Sequence, residues 1–243
     1  MKLRVTLLGA LSLLAAGHAV ARPGAQTATV VELFTSQGCS SCPPADSLLK
    51  TYAQRTDLVA LSLSVDYWDH LGWKDTLASP KFSERQRAYA KTLGTGNVYT
   101  PQIVIDGVAQ AVGSAAAKVD KAIAYARNLK QDRVDVSAAL LGNEIRIDVA
   151  GGGGGDVASS PATIWFAVVS PRVDVPVKRG ENRGSTLAYY NVVRSLTPVG
   201  MYSGKPLRID LPPKAMEVEN KRCAVLVQAG EGGRIIGAAW MAK

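Results

Sequence analysis

Two cysteines three residues apart, Cys39 and Cys42, are the residues of this 243-residue chain whose type and spacing point most directly to chemistry. Thiols at this spacing can bond to each other, and a pair that forms and breaks such a bond exchanges disulfides with other proteins. An apolar run precedes the pair and a helical pattern follows it, so we predict a strand, a short turn and a helix. This order places Cys39 at the N-terminus of the helix, where unpaired backbone N–H groups and the helix dipole favour a thiolate. We therefore expect Cys39 to be the more exposed, attacking thiol and Cys42 to resolve the mixed disulfide.

Other uses of the pair stay open at this point. The bond could be a structural disulfide in a module that binds proteins without turnover. A Cu(I) metallochaperone could use both thiolates together with His70, because Cu(I) prefers soft ligands. Zinc is disfavoured, since only His70 and Cys223 could complete the ligand set. We expect no metal and no cofactor, and a serine–histidine–aspartate triad through His70 has no elbow motif behind it. Cys223 stands in an apolar run and is predicted to be a buried small residue on a strand.

The first 21 residues have the three parts of a signal peptide. Lys2 and Arg4 precede the apolar stretch Val5 to Ala16, and Ala19-Val20-Ala21 is the expected cleavage site. Cleavage there lowers the formal net charge from +8 to +6. No later run reaches the ~20 apolar residues that a membrane-spanning helix needs. We therefore expect a periplasmic or secreted protein that has no transmembrane segment after cleavage. Its scattered cations do not indicate nucleic acid as a partner.

Hydrophobic patterns in the first half predict alternating strands and helices. Strands are expected at 29–34, 58–65, 102–105 and 108–112, and helices at 45–54, 80–93 and 114–128. Strands joined through helices pair in parallel, whereas Asp106-Gly107 is a hairpin turn and predicts an antiparallel end. The cysteine pair stands at the first strand-to-helix junction, and Thr100-Pro101 opens the first strand of the hairpin. This arrangement resembles that of thioredoxin-like proteins.

Several stretches resemble one secreted bacterial thioredoxin-like family of undetermined function. They are V-E-L-F-T-S-Q-G-C-S-S-C-P-P-A-D, V-D-Y-W-D-x-L-G-W-K-D, V-Y-T-P-Q-I-V-I-D-G, G-E-N-x-G-x-T-L and N-V-V-R, within residues 29–243. The resemblance implies a cis Pro101, preceded by Thr100, that faces the cysteines. It also implies that Glu32 is a buried acid under the disulfide, which accepts a proton from the second cysteine; a solvent-facing Glu32 is the alternative. In that family a His often precedes V-D-Y-W-D, and Ser64 stands there in this chain.

An aromatic and acidic stretch follows the second predicted strand. It contains Asp66, Tyr67, Trp68, Asp69 and Trp73. The carboxyl ends of strands are where α/β sheets place ligand sites, and Cys39 stands at the same edge. The stretch is therefore predicted to be a lip that binds a protein partner or, alternatively, a packed cap over the sheet.

The second half has short β-rich runs separated by turn residues. They cover 134–140, 144–149, 162–170, 187–196, 207–211, 223–229 and 235–241. We predict a thioredoxin-like domain over residues 22–130 and a small antiparallel β-sandwich over 131–243. The glycine run 151–155 is expected to be a loop. Glu181, Asn182 and Arg194 are expected to support the contact between the halves or to line a site.

The fold class that we predict is an α/β thioredoxin-like domain followed by a small all-β sandwich. The predicted function is thiol–disulfide exchange with thiols or disulfides of envelope proteins, together with an unknown redox partner. Ser40 and Ser41 supply no cation that would stabilise the Cys39 thiolate. We therefore expect a reduction potential nearer the reducing end of the known range.

Overall fold

The structure is a computed structural model that describes residues 27–129, 133–152, 161–216 and 221–242. The predicted signal peptide, the linker at 130–132 and most of the glycine run lie outside the described residues. The helices and strands are β1 (Thr29–Thr35), α1 (Pro43–Ala53), β2 (Leu58–Ser64), α2 (Pro80–Thr92), β3 (Gln102–Ile105), β4 (Ala109–Val112), α3 (Ala116–Asn128), β5 (Val136–Leu141), β6 (Glu144–Val149), β7 (Ala162–Pro176), β8 (Thr186–Tyr202), β9 (Leu207–Leu211), β10 (Arg222–Ala229) and β11 (Ile235–Trp240). Two 3₁₀ turns span Asp69–Leu71 and Pro213–Met216.

A large mixed sheet runs through both halves of the chain. Its strand order is β11-β10-β7-β8-β2-β1-β3-β4, and a separate antiparallel sheet has the order β5-β6-β9. β1 pairs in parallel with β2 and antiparallel with β3. The two halves meet where β8 pairs in parallel with β2, at Val192 and Ser62. Four strands of the second half thus extend the sheet of the first half. A division into two domains between residues 130 and 131 stays a prediction.

Helices cover both faces of the sheet around β1, and all seven residues of this strand are buried. Val31 and Leu33 pack with α1 and α3, whereas Val30 and Phe34 pack with α2. Because side chains alternate along a strand, Glu32 belongs to the α2 face. Thr35, three residues further on, belongs to the α1 face. This alternation decides which groups surround the cysteine pair.

The small sheet packs against the far end of the large one. Ile145 and Ile147 of β6 share an apolar cluster with Phe166 of β7 and Val225 of β10. Cys223 lies in the same cluster as a buried free thiol on β10, where the sequence pattern placed it. Burial raises the pKa of this thiol to about 11. A thiol held in that state is a poor nucleophile at neutral pH.

Asn191 joins the two halves of the large sheet. Its φ is 48°, a left-handed conformation that Asn tolerates better than most residues with a side chain. Its Nδ2 donates a hydrogen bond to the carbonyl of Ala60 at 2.9 Å, and its Oδ1 accepts one from Arg222 at 3.1 Å. The N-V-V-R stretch therefore begins with a residue that holds β8 against β2.

Candidate functional site

Cys39 and Cys42 form a disulfide in the turn between β1 and α1. The helix begins at Pro43 with Cys42 as its N-cap, so Cys39 lies a full turn before the helix. The prediction of Cys39 at the helix start is wrong on this point. Both cysteines are buried, Cys39 at 1% and Cys42 at 0% exposed, so the bonded pair does not distinguish a more exposed thiol. Only Ser40 and Ser41, between the two cysteines, reach the surface.

A loop from the second half of the chain lies on this turn. We call residues 177–185, which connect β7 and β8, the hairpin tip. The Nδ2 of Asn182 donates to the carbonyls of Gln37 at 2.9 Å and Cys39 at 3.0 Å. The Oε2 of Glu181 accepts the backbone N–H of Ser40 at 3.1 Å. Glu181 and Asn182 therefore support the contact between the halves, one of the two roles that the sequence left open for them. Arg194 lines a groove of about 510 Å³ elsewhere, beside α2 and β7.

The aromatic stretch closes another side of the cysteine turn. The Nε1 of Trp73 donates to the side-chain oxygen of Gln37, and that of Trp68 donates to the hydroxyl of Thr100, both at 2.8 Å. A Cβ added to Gly38 would lie 3.1 Å from the Cβ of Trp68. The stretch is thus packed against the turn, as the cap alternative expects. Binding of a partner by these side chains stays a prediction.

The acidic residues of that stretch accept hydrogen bonds that stabilise its own conformation. Asp66 accepts a hydrogen bond from Ser83 of α2, and the hydroxyl of Tyr67 donates to Gln86 of the same helix. Asp69 accepts a backbone N–H six residues further along the chain at 3.0 Å. These contacts hold Trp68 and Trp73 in place beside the disulfide turn.

Pro101 lies next to the first turn of α1. The Thr100–Pro101 peptide bond is cis. The carbonyl of Pro101 accepts the N–H of Gly113 at 2.9 Å. A Cβ added to Gly113 would lie 3.0 Å from the Cβ of Ala45 and 3.2 Å from that of Pro101. The glycine thus lets the hairpin of β3 and β4 approach the helix that follows Cys42.

Glu32 is buried, as the resemblance implied, but it has partners. Its Oε1 lies 2.7 Å from the Nε of Arg85, and its Oε2 accepts hydrogen bonds from Arg85 and from the hydroxyl of Tyr89. Arg85 also donates to Gln228 at 2.8 Å. This network lies on the α2 face of the sheet. The acid that was expected to lie free beneath the disulfide is therefore engaged in a buried ion pair.

Asp46 is a buried acid that the sequence analysis missed. It lies four residues after Cys42, so both side chains point to the same side of α1. The side chain is 5% exposed, and neither carboxylate oxygen has a hydrogen-bond partner among the described residues. Burial raises the pKa of Asp46 to about 8. The hydroxyl of Thr35 offsets part of this rise, although it does not reach hydrogen-bonding geometry, and the charge of Asp75 adds to it.

Four buried hydroxyl groups also lack hydrogen-bond partners in the described part of the chain, and two of them, those of Thr35 and Tyr189, interact with this acid. We call Asp46 with these four residues the polar chamber; the hydroxyls belong to Thr35, Ser62, Ser64 and Tyr189. Thr35 pairs in register with Ser64. Burial, together with the charges of Asp46 and Asp75, raises the pKa of Tyr189. The alternation L-S-L-S in β2 was the available signal, because it places a hydroxyl at every second position of a strand that is buried throughout.

The ligands considered for copper are not assembled in the structure. Within the described ranges, no three His, Cys, Asp or Glu side chains form a group that could hold a metal ion. His70 is exposed, and its Nδ1 lies 2.8 Å from the carbonyl of Tyr67. None of the described helices combines the length and the apolar character needed to span a membrane.

Comparisons with known proteins give a family and two similar structures. A family model described as "Protein of unknown function (DUF1223)" matches residues 30–228. The crystal structure of protein AGR_C_4864 from Agrobacterium tumefaciens is similar at a TM-score of 0.77 and 38% identity, covering 89% of this chain and 95% of that one. HBP35 of Porphyromonas gingivalis is similar at a TM-score of 0.55 and 11% identity, covering 88% and 74%, a likeness of fold alone. A comparison with curated proteins found no match.

Proposed function

Because the chain belongs to the DUF1223 family of proteins of unknown function, membership supplies no activity, and we propose from the site that the protein exchanges disulfides through Cys39 and Cys42. One observation carries the proposal. The bonded pair closes the turn between β1 and α1, and the buried carboxyl of Asp46 lies one helical turn further on. Strongly perturbed acids beside a reactive group are typical of sites that move protons.

The fold that we propose for residues 22–130 is thioredoxin-like, followed by a small β-sandwich. The first part is supported by the order β2-β1-β3-β4, by the C-x-x-C turn after β1 and by a cis Pro101 beside α1. The second part is supported by the apolar cluster between the small sheet and strands β7 and β10. As substrates we propose thiols or disulfides of envelope proteins, which fits the predicted signal peptide.

In the proposed reaction the reduced protein attacks a disulfide of a substrate protein. The Cys39 thiolate bonds to one substrate sulfur, and the other leaves as a thiolate. Cys42 then attacks the Cys39 sulfur, which restores the Cys39–Cys42 disulfide and releases the second substrate thiolate. Two electrons pass from the protein to the substrate, and a redox partner with a dithiol returns the protein to its reduced form. Run in reverse, the same steps oxidise a substrate dithiol.

The second attack requires Cys42 to lose its proton, and Asp46 is suited to accept it in its ionised form, which is the minor form at neutral pH. A free cysteine has a pKa of about 8.5, and the pKa of Asp46 is about 8. Groups of similar pKa exchange a proton with little cost. Glu32 is less suited to this role, since its carboxylate is held by Arg85 and Tyr89.

Turnover is tested by insulin reduction and disulfide isomerisation with dithiothreitol or a dithiol protein as the reductant. Cys39→Ser should abolish the activity, whereas Cys223→Ser should retain it because Cys223 is buried on β10. A Cys42→Ala variant should trap mixed disulfides with envelope proteins, since the resolving thiol is missing. Absence of any Cys39-dependent turnover, with no trapped species, would remove the proposed activity.

A binding module with a structural disulfide is the second candidate. It is favoured by one observation: both cysteines are buried, and the hairpin tip is hydrogen-bonded to their turn. In that case reduction should lower the thermal stability of the protein strongly, and Cys42→Ala should trap nothing. Stability measured before and after reduction, together with the trapping experiment, separates the two candidates.

A further inference from the structure

The hairpin tip uses contacts that another polypeptide could make. We propose that the tip holds the place of the substrate and that an extended, acidic polypeptide segment carrying the reacting cysteine displaces it from the disulfide turn. This inference rests on the proposed exchange activity and adds to it a docking surface and a class of partner.

The groups that the tip contacts on the cysteine turn are mostly backbone groups. They are the carbonyls of Gln37 and Cys39 and the N–H of Ser40. Two acceptors and one donor within four residues are what an extended chain can satisfy with its own amides, whatever its side chains. Beside them, Gly180 of the tip packs on Trp73, so that backbone lies against an aromatic side chain.

Access to the disulfide requires the packing around its turn to open. An attacking thiolate must reach a sulfur of the pair, yet Cys39 and Cys42 are 1% and 0% exposed. The tip is the part of the second half that hydrogen-bonds to this turn. Ser40 and Ser41 are already exposed between the cysteines, so a docked segment that takes over the tip's bonds to the Cys39 carbonyl and the Ser40 N–H lies beside the reacting pair.

The tip is held in a way that permits exchange with a partner. At its base, Val177 is buried in an apolar cluster with Leu77. Among the described residues, three hydrogen bonds from Glu181 and Asn182 attach the outer part of the tip to the cysteine turn, and the one to Ser40 is exposed to water. Gly180 and Gly184 have φ values of +77° and +85°, so glycine permits both bends. Solvent-exposed hydrogen bonds contribute little net stability, because water replaces them when they break.

The positive charge around the cysteine turn favours an acidic partner. Lys178, Arg179 and Arg183 of the tip and Lys74 beside Trp73 are all exposed. Glu181 is the single acidic residue of the tip. A surface with this excess of cations attracts an acidic segment and speeds its association, and salt weakens the effect.

The first test measures how fast dithiothreitol reduces the disulfide of the oxidised, full-length protein, read by alkylation and mass. Asn182→Ala removes two of the three hydrogen bonds and should speed reduction about thirtyfold, since each bond contributes roughly 1 kcal/mol. Asn143→Ala, in the exposed turn between β5 and β6, is the matched control and should not change the rate. Equal rates in wild type and Asn182→Ala would overturn the covering role of the tip. This measurement requires no turnover, so its failure differs from a failure of the proposed activity.

The second test uses cysteine peptides activated as mixed disulfides with thionitrobenzoate and the Cys42→Ala variant. Attack by the Cys39 thiolate links the peptide to Cys39 and releases thionitrobenzoate, which is followed by absorbance. An acidic peptide should react about tenfold faster than a lysine-rich peptide of the same length at low salt, and the difference should shrink at 1 M salt. Replacing Arg179 and Arg183 by Ala should reduce the advantage. A basic peptide that reacts as fast as the acidic one, or faster, would overturn the acidic partner.

Discussion

Asp46→Asn should make the protein more stable above neutral pH and remove a large part of its pH dependence. The wild-type acid has a pKa of about 8 when folded, and we take the ordinary aspartate pKa of 3.8 for the unfolded chain. Between these two values the folded state holds a proton that the unfolded state has released. The contribution of Asp46 to the free energy of unfolding is therefore fully present below about pH 4 and is lost as the pH rises towards 8. Asparagine has the shape of the protonated acid and does not ionise.

The size of the effect follows from the same two values. Each pH unit within this window lowers the free energy of unfolding by about 1.4 kcal/mol as long as Asp46 stays protonated in the folded state. Across the window the sum is about 6 kcal/mol, an upper limit because water that enters the polar chamber would solvate the charge. In the Asp46→Asn variant, the free energy of unfolding should lack this dependence on pH. The difference in stability between the variant and wild type should therefore grow steadily from pH 5 to pH 8.

Urea unfolding of the oxidised proteins at pH 5, 6, 7 and 8 measures this difference directly. Asp135→Asn, at an exposed aspartate before β5, is the matched control and should follow wild type at every pH. The contributions of the other titrating groups cancel in this difference, since the variant and wild type share those groups. Parallel curves for Asp46→Asn and wild type would refute the reasoning and would place an ionised, solvated carboxylate at this position.

Three further changes test other parts of the structure. Arg85→Gln leaves the Glu32 carboxylate buried without its cation and should cost about 3–5 kcal/mol in urea unfolding, whereas Arg172→Gln, in a surface ion pair, should leave the free energy of unfolding nearly unchanged; equal losses would contradict this. Gly232→Ala would place a Cβ 2.4 Å from the backbone of α2 at a φ of +63° and should lower Tm clearly. Glu181→Gln removes a negative charge beside the disulfide turn and should raise the reduction potential by on the order of 20 mV in glutathione equilibria; a lower potential would reverse the assignment.

The helices and strands were largely predictable because their signals are local. Strands β3, β6 and β9 lie within the bounds that the apolar runs predicted, and β1 exceeds its predicted bounds by one residue. The longest strands, β7 and β8, run well beyond the predicted 162–170 and 187–196. Their outer parts carry exposed charges such as Arg172 and Asp174 in surface pairs. The apolar pattern therefore ends before the two strands of the hairpin, β7 and β8, reach their ends. The joining of β8 to β2 depends on contacts about 130 residues apart, which no local pattern records.

The candidate site was predictable in its centre and not in its surroundings. Spacing alone indicated the Cys39–Cys42 bond, whereas part of the packing on its turn comes from a loop about 140 residues later in the chain. Glu32 was correctly expected to be buried, but its partner Arg85 stands on a helix whose facing side the sequence did not specify. Asp46 follows two prolines at a helix start, where an acid usually caps backbone N–H groups in water. Only the packing of α1 on β2 and β8 shows that this acid is buried instead.

The position of the hairpin tip along the chain has a consequence for how the protein is made. Synthesis proceeds from the N-terminus, so β1, the cysteine turn and α1 are complete long before residues 177–185 exist. During that interval Asn182 and Glu181 are not present to cover the turn. An oxidant that forms the Cys39–Cys42 bond therefore meets two thiols that the tip does not yet cover. The cysteine pair should therefore be more accessible to an oxidant in a growing chain that lacks residues 177–185 than in the complete protein.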